Sequence, residues 1–181
     1  MLQEIFNQIY KDLKGATSHP KHAFRYATFA TALNGEPYQR TVVLRKVLKN
    51  NNLQIYTDSR SQKIKHLHQN PVGSMLFYDH KKLTQVIVKG KVVIKTNGKE
   101  LLQQWSEMQE ASKKDYITEK GPGHKIKNPD HVSYLENDNY FTILELIPDK
   151  MEYLQLKRPN HIRATFDKTI EDHWEMSFLV P

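Results

Sequence analysis

The sequence predicts a mainly β fold, an antiparallel and Greek-key-like barrel with flanking helices, in one domain that spans residues 1–181. Three observations support this prediction. Short segments rich in β-branched and aromatic residues recur along the chain with turn signals between them, which is typical of antiparallel sheets. Only three segments show the 3.6-residue spacing of helices, too few for alternating β and α units. At 181 residues, without repeats or a dividing linker, the chain has the length of one domain.

The strands are predicted from their extended composition and from the turns that bound them. Asn34 and Gly35 form a dipeptide typical of two-residue hairpin turns, and Gly90 interrupts an apolar strand as a bulge or bend would. The predicted strand segments, in chain order, are 23–33, 38–48, 53–57, 72–78, 83–95, 139–147, 151–157, 162–166 and 173–180.

The helices are predicted over residues 1–15, 61–70 and 99–111, from apolar residues at helical spacing. Gly15 is placed to end the first helix, and Ser59 or Ser61 to begin the second. Residues 113–130 are rich in Gly, Pro and Lys, and we predict a mobile surface loop there.

Composition limits the location and the partners of the chain. The formal net charge of +7 favours anionic ligands such as phosphates, nucleotides or nucleic acid. The absence of cysteine excludes disulfides and thiol chemistry and fits a reducing cytosol. The first segment mixes charged and apolar residues, unlike a signal peptide, and no stretch has the length and apolarity of a membrane span. We therefore expect a cytoplasmic protein without a membrane partner.

The segment GEPYQRTVVLR, residues 35–45, is the first candidate binding element. It is a strand with an arginine at each end of an apolar run. Alternation places Arg40 and Val42 on one face and Thr41, Val43 and Arg45 on the other. An apolar floor with flanking arginines suits a flat ligand with an anionic tail, such as a phosphorylated flavin. The alternative is a strand whose arginines simply extend into solvent.

The segment YTDSRSQK, residues 56–63, is the second candidate. Here a strand ends, a helix begins, and hydroxyls lie close to Arg60 and Lys63. Backbone N–H groups and positive charge at a helix start favour anions, so we predict an anion cradle. Gln85, an amide in the apolar strand TQVIV, can both donate to and accept from the edge of a ring.

The motifs RTVVLR, YTDSRSQK and TQVIVKG and the ending W-x-x-x-x-L-V-P resemble, in order and spacing, those of the pyridoxamine 5′-phosphate oxidase family. The resemblance covers nearly the whole chain. It implies an FMN-binding split barrel, a homodimer with two FMN molecules at the subunit interface, and a small-molecule substrate. It also implies an FMN-dependent oxidoreductase that oxidises pyridoxamine or pyridoxine 5′-phosphate to pyridoxal 5′-phosphate.

The resemblance further implies which residues form the site. Arg40 is expected near the phosphate and Arg45 near the ring and the substrate, with Arg45 and His161 as catalytic residues. Tyr153 and Arg163 are expected to reach the flavin from the partner subunit. The expected FMN-binding residues are Arg40, Thr41, Val42, Val43, Arg45, Tyr56, Thr57, Ser61, Gln62, Lys63, Gln85, Tyr153 and Arg163.

The chain departs from the family pattern at positions that concern the substrate. Gln62 stands where the family commonly has arginine, with Arg60 nearby as a compensating charge. Pro159 replaces the first arginine of the motif R-x-H-x-R, and the segment from Trp105 to Ser112 has no arginine. FMN binding is therefore better supported than oxidation of pyridoxamine phosphate.

Other functions remain open at this stage. A flavin reductase, an FMN oxidoreductase with another substrate and a non-catalytic FMN-binding protein all fit the same motifs. A basic barrel that binds nucleic acid fits the net charge, but most aromatic residues lie in alternating strands and are expected in the core. Nine histidines show no zinc-ligand spacing, so no metal site is predicted, and they are expected on helix surfaces and in loops.

Overall fold

The computed structural model describes residues 1–181 and confirms a mainly β fold in which all strand pairs are antiparallel. None of the helices combines the length and the apolar character that a membrane crossing requires. The strands are β1 Tyr26–Leu33, β2 Glu36–Val43, β3 Lys46–Val47, β4 Leu53–Asp58, β5 Val72–Asp79, β6 Thr84–Lys95, β7 Phe141–Gln155, β8 Ile162–Lys168 and β9 Trp174–Leu179. The helices are α1 Leu2–Ser18, α2 Gln62–Gln69, α3 Lys99–Glu107 and α4 Glu110–Lys113.

The sheet follows the order β2-β1-β5-β6-β7-β4-β3, with β8 on the second half of β7 and β9 on β8. No ladder joins β2 to β4, so the curled sheet stays open between them. Paired residues of an antiparallel ladder share a face. One face therefore carries the core, in which Phe29, Phe77 and Phe166 are fully buried. The opposite face is the outer face.

The β1–β2 hairpin turns at Asn34 and Gly35 as predicted, with φ angles of 52° and 83°. The second strand is shorter than the predicted 38–48. It ends at Val43, after which the Leu44 N–H donates to the Arg25 carbonyl and the Arg45 N–H donates to the Gln54 carbonyl. The chain thus leaves β1 and joins β4 as β3, a change of partner that strand propensity does not reveal.

The predicted bulge at Gly90 is confirmed by a register shift between Lys89 and Gly90. A Cβ at Gly90 would lie 1.9 Å from the Ile147 carbonyl oxygen, so only glycine fits. The two strands predicted at 139–147 and 151–157 are instead one strand, β7. Pro148 suggested a break, but it lies opposite Gly90 at the bulge, where a missing N–H is tolerated.

Two predicted helix ends are wrong. Helix α1 continues past Gly15 to Ser18, because Ala16 is fully buried and the Arg25 guanidinium donates to the carbonyls of Ala16 and Thr17. The predicted helix 99–111 is broken into α3 and α4, because Met108 adopts an extended conformation. Ser61, not Ser59, precedes α2 as its N-cap residue.

Candidate functional site

Residues from four elements meet at the open edge of the sheet, between β2 and β4, where the start of α2 covers it. We call this group the cationic cleft. Its positive charges are Arg40 and Lys63. Its members are Thr31 of β1, Arg40 of β2, Thr57 of β4, and Ser61, Lys63 and His66 at or within α2.

Arg40 lies half-buried on the core face, directly opposite Phe29 in the ladder. Its Nη1 donates to the Phe29 carbonyl at 3.1 Å, to Thr31 Oγ1 at 2.8 Å and to the Tyr38 carbonyl at 2.9 Å. Burial lowers the pKa of Arg40, yet no carboxylate pairs with it. The hydrogen bonds fix one side of the guanidinium and leave its other nitrogens available to a ligand.

Lys63 lies in the first turn of α2 and donates to Thr57 Oγ1 at 2.9 Å, which in turn lies 3.2 Å from Ser61 Oγ. Burial, followed by the positive charge of Arg40, lowers the pKa of Lys63 to about 8. No carboxylate forms an ion pair with Lys63, and nearby Asp58, whose charge opposes the fall in the Lys63 pKa, is paired with Arg60. Two partly buried cations therefore share the cleft without a counter-ion of their own. Such an arrangement stabilises a bound anion, because the anion replaces lost hydration and reduces repulsion between the cations.

His66 was expected on the surface of its helix, and that prediction is wrong, since only 3% of it is exposed. Thr31 accepts a hydrogen bond from Arg40, so its single proton is available to His66 Nδ1 at 3.0 Å. Burial, Arg40 and Lys63 all lower the pKa of His66. The ring is therefore neutral and positions Thr31 and Arg40. Helical spacing in the sequence could have indicated this position, because His66 follows Lys63 by three residues and therefore lies on the same side of α2.

Arg60, expected to compensate for Gln62 at the phosphate, is used elsewhere. It forms two hydrogen bonds with buried Asp58, of 2.7 and 3.1 Å, and lies 3.4 Å from the centre of the Tyr140 ring. It also donates to the carbonyls of Thr118 and Glu119. These contacts anchor the segment 117–140, which we call the connecting loop. The mobility predicted for residues 113–130, which overlap this loop, stays a prediction.

A second concave region lies on the outer face, where α3 packs over β4. We call it the α3 pocket. Its volume is about 360 Å³, and its lining residues are Arg25, Arg45, Tyr56, Gln104, Glu107, Met108, Gln109 and Ser112. Arg45 lies 5.5 Å from the Tyr56 ring centre, and the Tyr56 hydroxyl donates to Gln104 Oε1 at 2.7 Å. Burial raises the pKa of Tyr56 to about 12, so the hydroxyl keeps its proton at neutral pH.

Tyr56 and Thr57 are neighbours on β4 and face opposite sides, as strand alternation requires. Thr57 belongs to the cationic cleft, and Tyr56 to the α3 pocket. In the same way, Arg40 belongs to the cationic cleft and Arg45 to the α3 pocket. The cleft and the pocket are therefore joined through two short stretches of chain, 40–45 and 56–57.

The other predicted FMN-binding residues lie in three places: on the outer face, against the core and at the exposed start of α2. Gln85 and Arg163 lie on the outer face, in the ladder row that runs from Gln85 through Leu154 to Arg163. Gln85 makes no side-chain hydrogen bond, whereas Arg163 donates to Glu152 Oε1 at 2.9 and 3.1 Å. Thr41 and Val43 share the outer face, Val42 and Tyr153 pack against the core, and Gln62 is exposed at the start of α2.

Tyr153 and Arg163 therefore lie on opposite faces of the sheet, because Tyr153 pairs with Ala164 and Leu154 pairs with Arg163. His161 is exposed before β8, and its Nδ1 accepts a hydrogen bond from the Lys157 N–H at 3.1 Å. Within one chain, His161 does not line the α3 pocket. The structure of one chain thus does not bring together the two predicted catalytic residues, Arg45 and His161.

A cavity of about 600 Å³ is lined by residues between 114 and 134, most of them in the connecting loop, and includes none of the predicted site residues. The residues that sequence reasoning missed are instead at the cleft and the pocket: Thr31, His66, Gln104, Glu107 and Met108. No group of three or more His, Asp or Glu side chains is arranged to hold a metal ion.

Three comparisons place this geometry among known proteins. The model of the pyridoxamine 5′-phosphate oxidase FMN-binding domain matches residues 3–96, just over half of the chain. Pyridoxine/pyridoxamine 5′-phosphate oxidase 2 of Arabidopsis thaliana is 29% identical over 157 aligned residues, which cover 78% of each chain.

Two solved structures share the fold over nearly the whole chain. A pyridoxamine 5′-phosphate oxidase-related, FMN-binding protein of Nostoc punctiforme has a TM-score of 0.79 at 22% identity, covering 97% of this chain and 96% of its own. PhzG of Burkholderia lata, solved with tetrahydrophenazine-1-carboxylic acid, has a TM-score of 0.77 at 16% identity, covering 97% and 92%.

The cationic cleft fits the phosphate of FMN, because it offers two cations without a counter-ion and hydroxyls to share the negative charge. The family match includes the cleft, Arg45 and Gln85, and ends before α3, so it does not extend to most of the α3 pocket. The chain belongs to the pyridoxamine 5′-phosphate oxidase family of FMN-binding proteins, and FMN is its cofactor.

Proposed function

We propose that the chain is an FMN-dependent oxidoreductase that acts on a small molecule as a homodimer. The observation that carries this proposal is the pair of uncompensated cations, Arg40 and Lys63, in the cleft of an FMN-binding family member. The cleft holds the anionic end of the cofactor and leaves the adjacent outer face for the ring.

In this proposal Arg40 and Lys63 bind the phosphate, with Thr57 and Ser61 as hydrogen-bond partners. Bound FMN supplies the ability to accept two electrons from a substrate and to pass them to an acceptor. Arg45 places a permanent positive charge on the outer face, where it favours negative charge on a reduced ring. Gln85, whose amide is not used within the protein, provides a donor and an acceptor for the ring edge.

The outer face supports the proposed dimer. Tyr26 and Tyr78 lie on it, near the ends of β1 and β5, and are 60% and 45% exposed, a large exposed fraction for aromatic side chains on a sheet face. A second copy that covers this face would bury them and bring its own His161 and Arg163 towards the site. Light scattering on the purified protein should give about twice the mass of 21.3 kDa, and a monomeric mass with FMN bound would contradict this part.

The visible absorption spectrum of the purified protein tests cofactor binding, followed by release and identification of the chromophore. Oxygen consumption with pyridoxamine 5′-phosphate and pyridoxine 5′-phosphate then tests the oxidase activity of the named relatives. Formation of pyridoxal 5′-phosphate would support that activity. Its absence in FMN-loaded protein, with reduction by NADH or NADPH, would support a flavin reductase instead.

As the second candidate function, we propose an FMN-dependent oxidoreductase whose substrate is not pyridoxamine 5′-phosphate. The segment from Trp105 to Ser112 contributes no cation to the α3 pocket; its lining residues there are Glu107, Met108, Gln109 and Ser112. If no electron donor reduces the bound flavin, the chain is a non-catalytic FMN-binding protein. A protein that takes up no FMN but binds oligonucleotides in a salt-dependent manner would contradict the proposal as a whole.

A further inference from the structure

We infer that the α3 pocket binds the carboxylate of a planar organic acid with one negative charge, in preference to a phosphate monoester. This inference deepens the proposed function by naming the class of substrate, and it rests on that function. It depends on the charges, walls and hydrogen-bond donors of the pocket itself.

Of the two arginines that line the pocket, Arg45 is the one that we assign to the ligand, because it makes no hydrogen bond to a main-chain carbonyl. Arg25 also lines it, but its Nη1 donates to the carbonyls of Ala16, Thr17 and Leu44, at 3.3 to 3.4 Å. Arg45 forms no ion pair, and its guanidinium lies 5.5 Å from the Tyr56 ring centre and close to the hydroxyl of buried Tyr116. One planar guanidinium with two parallel donors matches one carboxylate.

Two features make a second negative charge unfavourable. Glu107 lines the pocket and forms no ion pair, although it accepts a hydrogen bond from Gln103. Helix α3 also ends at Glu107, so the carboxyl end of the helix, with its partial negative charge, lies at the pocket. A phosphate monoester carries between one and two charges at neutral pH and two at higher pH, since its second pKa is about 6. A carboxylate carries one.

The walls suit a flat apolar body. The Tyr56 ring and the Met108 side chain are both part of the lining. Gln104 Oε1 accepts a hydrogen bond from the Tyr56 hydroxyl, which leaves Gln104 Nε2 free to donate to a ligand. A volume of about 360 Å³ admits a molecule of one or two fused rings.

Three naphthalene probes that differ only in their substituent test the inference: 2-naphthoate, 2-naphthyl phosphate and naphthalene-2-carboxamide. Their affinities are measured by calorimetry at pH 8 on FMN-loaded protein. We expect 2-naphthoate to bind about tenfold more tightly than each of the other two. Equal or tighter binding of the phosphate would overturn the inference.

Two substitutions locate the preference. Glu107→Gln should tighten binding of the phosphate probe several-fold and so reduce the difference in affinity between the phosphate and the carboxylate probes. Glu171→Gln, an equal charge change in the β8–β9 turn, should change neither the affinity for the phosphate probe nor this difference. Arg45→Met should weaken 2-naphthoate binding at least tenfold and leave the amide unaffected. An unchanged difference in affinity between the carboxylate and phosphate probes in Glu107→Gln would contradict the electrostatic argument, whether or not Arg45→Met folds.

Failure of the proposed function can be distinguished from failure of this inference. Absence of FMN uptake would contradict the proposed function, and the ranking of the three probes is then measured on the FMN-free protein. A carboxylate preference there would still support the pocket assignment, and a phosphate preference would refute it.

Discussion

Replacing Lys63 by Met should weaken FMN binding and at the same time stabilise the FMN-free protein. The first effect is expected because Lys63 would lose a charge-assisted hydrogen bond to the phosphate, worth about 1.5–3 kcal/mol. This corresponds to a roughly 10- to 100-fold rise in the dissociation constant. The second effect is expected because the partly buried ammonium group of Lys63, next to Arg40, destabilises the folded protein when no anion is bound.

The size of that cost follows from the pKa of Lys63, which falls from 10.5 to about 8 in the folded protein. A fall of this size corresponds to at most ~3 kcal/mol. Because the side chain is only partly buried, solvent screening reduces the cost, and we expect Lys63→Met to raise the free energy of unfolding by ~1–2 kcal/mol at pH 7.

The pH dependence provides a second test of the same residue. Between about pH 8 and pH 10.5 the unfolded state holds a proton on Lys63 that the folded state has released. The FMN-free wild type therefore gains stability as pH rises through this window. Below about pH 8, Lys63 is charged in the folded state and its full destabilising effect applies. The Lys63→Met protein lacks this gain, so its stability advantage should shrink as pH rises from 7.5 to 9.5.

Fluorescence titration with FMN and urea unfolding at each pH measure these effects. Lys65→Met is the matched control, since Lys65 is exposed on the same helix two residues away. It should change neither FMN affinity nor stability by more than ~0.5 kcal/mol. FMN binding within twofold of wild type in Lys63→Met, or a loss of stability without FMN, would refute the assignment of Lys63 to an anion site.

Three further substitutions test the fold and the connecting loop. Gly90→Ala should lower the free energy of unfolding by at least ~3 kcal/mol in urea titration, because its Cβ would meet the Ile147 carbonyl oxygen at 1.9 Å. Gly15→Ala is the opposite case: its Cβ would be 3.6 Å from the nearest atom, so a stabilisation of ~0.5–1 kcal/mol is expected, and destabilisation would contradict the helical assignment. Arg60→Met should cost ~3 kcal/mol by leaving Asp58 buried without its partner, and it should speed tryptic cleavage of the connecting loop, whereas unchanged cleavage would contradict the anchoring role.

Local patterns predicted much of the fold correctly. The Asn34–Gly35 turn and the Gly90 bulge depend on backbone conformations that few residues adopt, so the residue type itself carries the signal. The errors arose where tertiary contacts override local preference. Gly15 remains helical because the turn after it is packed against its surroundings, and Pro148 stays within β7 because Gly90 faces it.

The candidate site was predictable where one segment carries several ligand-binding groups. Thr57, Ser61 and Lys63 lie within seven residues, and the structure brings them together as the sequence suggested. Arg60 belongs to the same segment, but its contacts with Thr118 and Tyr140 depend on residues 58 and 80 positions further along the chain. Local sequence cannot show which of several neighbouring cations is already paired.

The burial of His66 was missed for a related reason. Its surroundings come from β1 and β2, which are distant in the chain, and histidine is common both inside and outside proteins. The family resemblance connects residues 105–112 with the substrate, but the shape of the α3 pocket was not predicted, because it depends on the break at Met108, which an apolar periodicity over residues 99–111 conceals.

Strand β7 has a consequence for how the chain acquires its fold. Residues 141–146 of β7 pair with β4 and residues 143–155 with β6, so Leu53 meets Leu146 across 93 positions of sequence. Contacts between such distant residues slow folding, because a long loop must close before they form. During synthesis, β4 and β6 stay without this partner until residue 155 has left the ribosome. A chain that stops before Phe141 exposes two unpaired strand edges, and we expect it to aggregate rather than persist as a smaller folded domain.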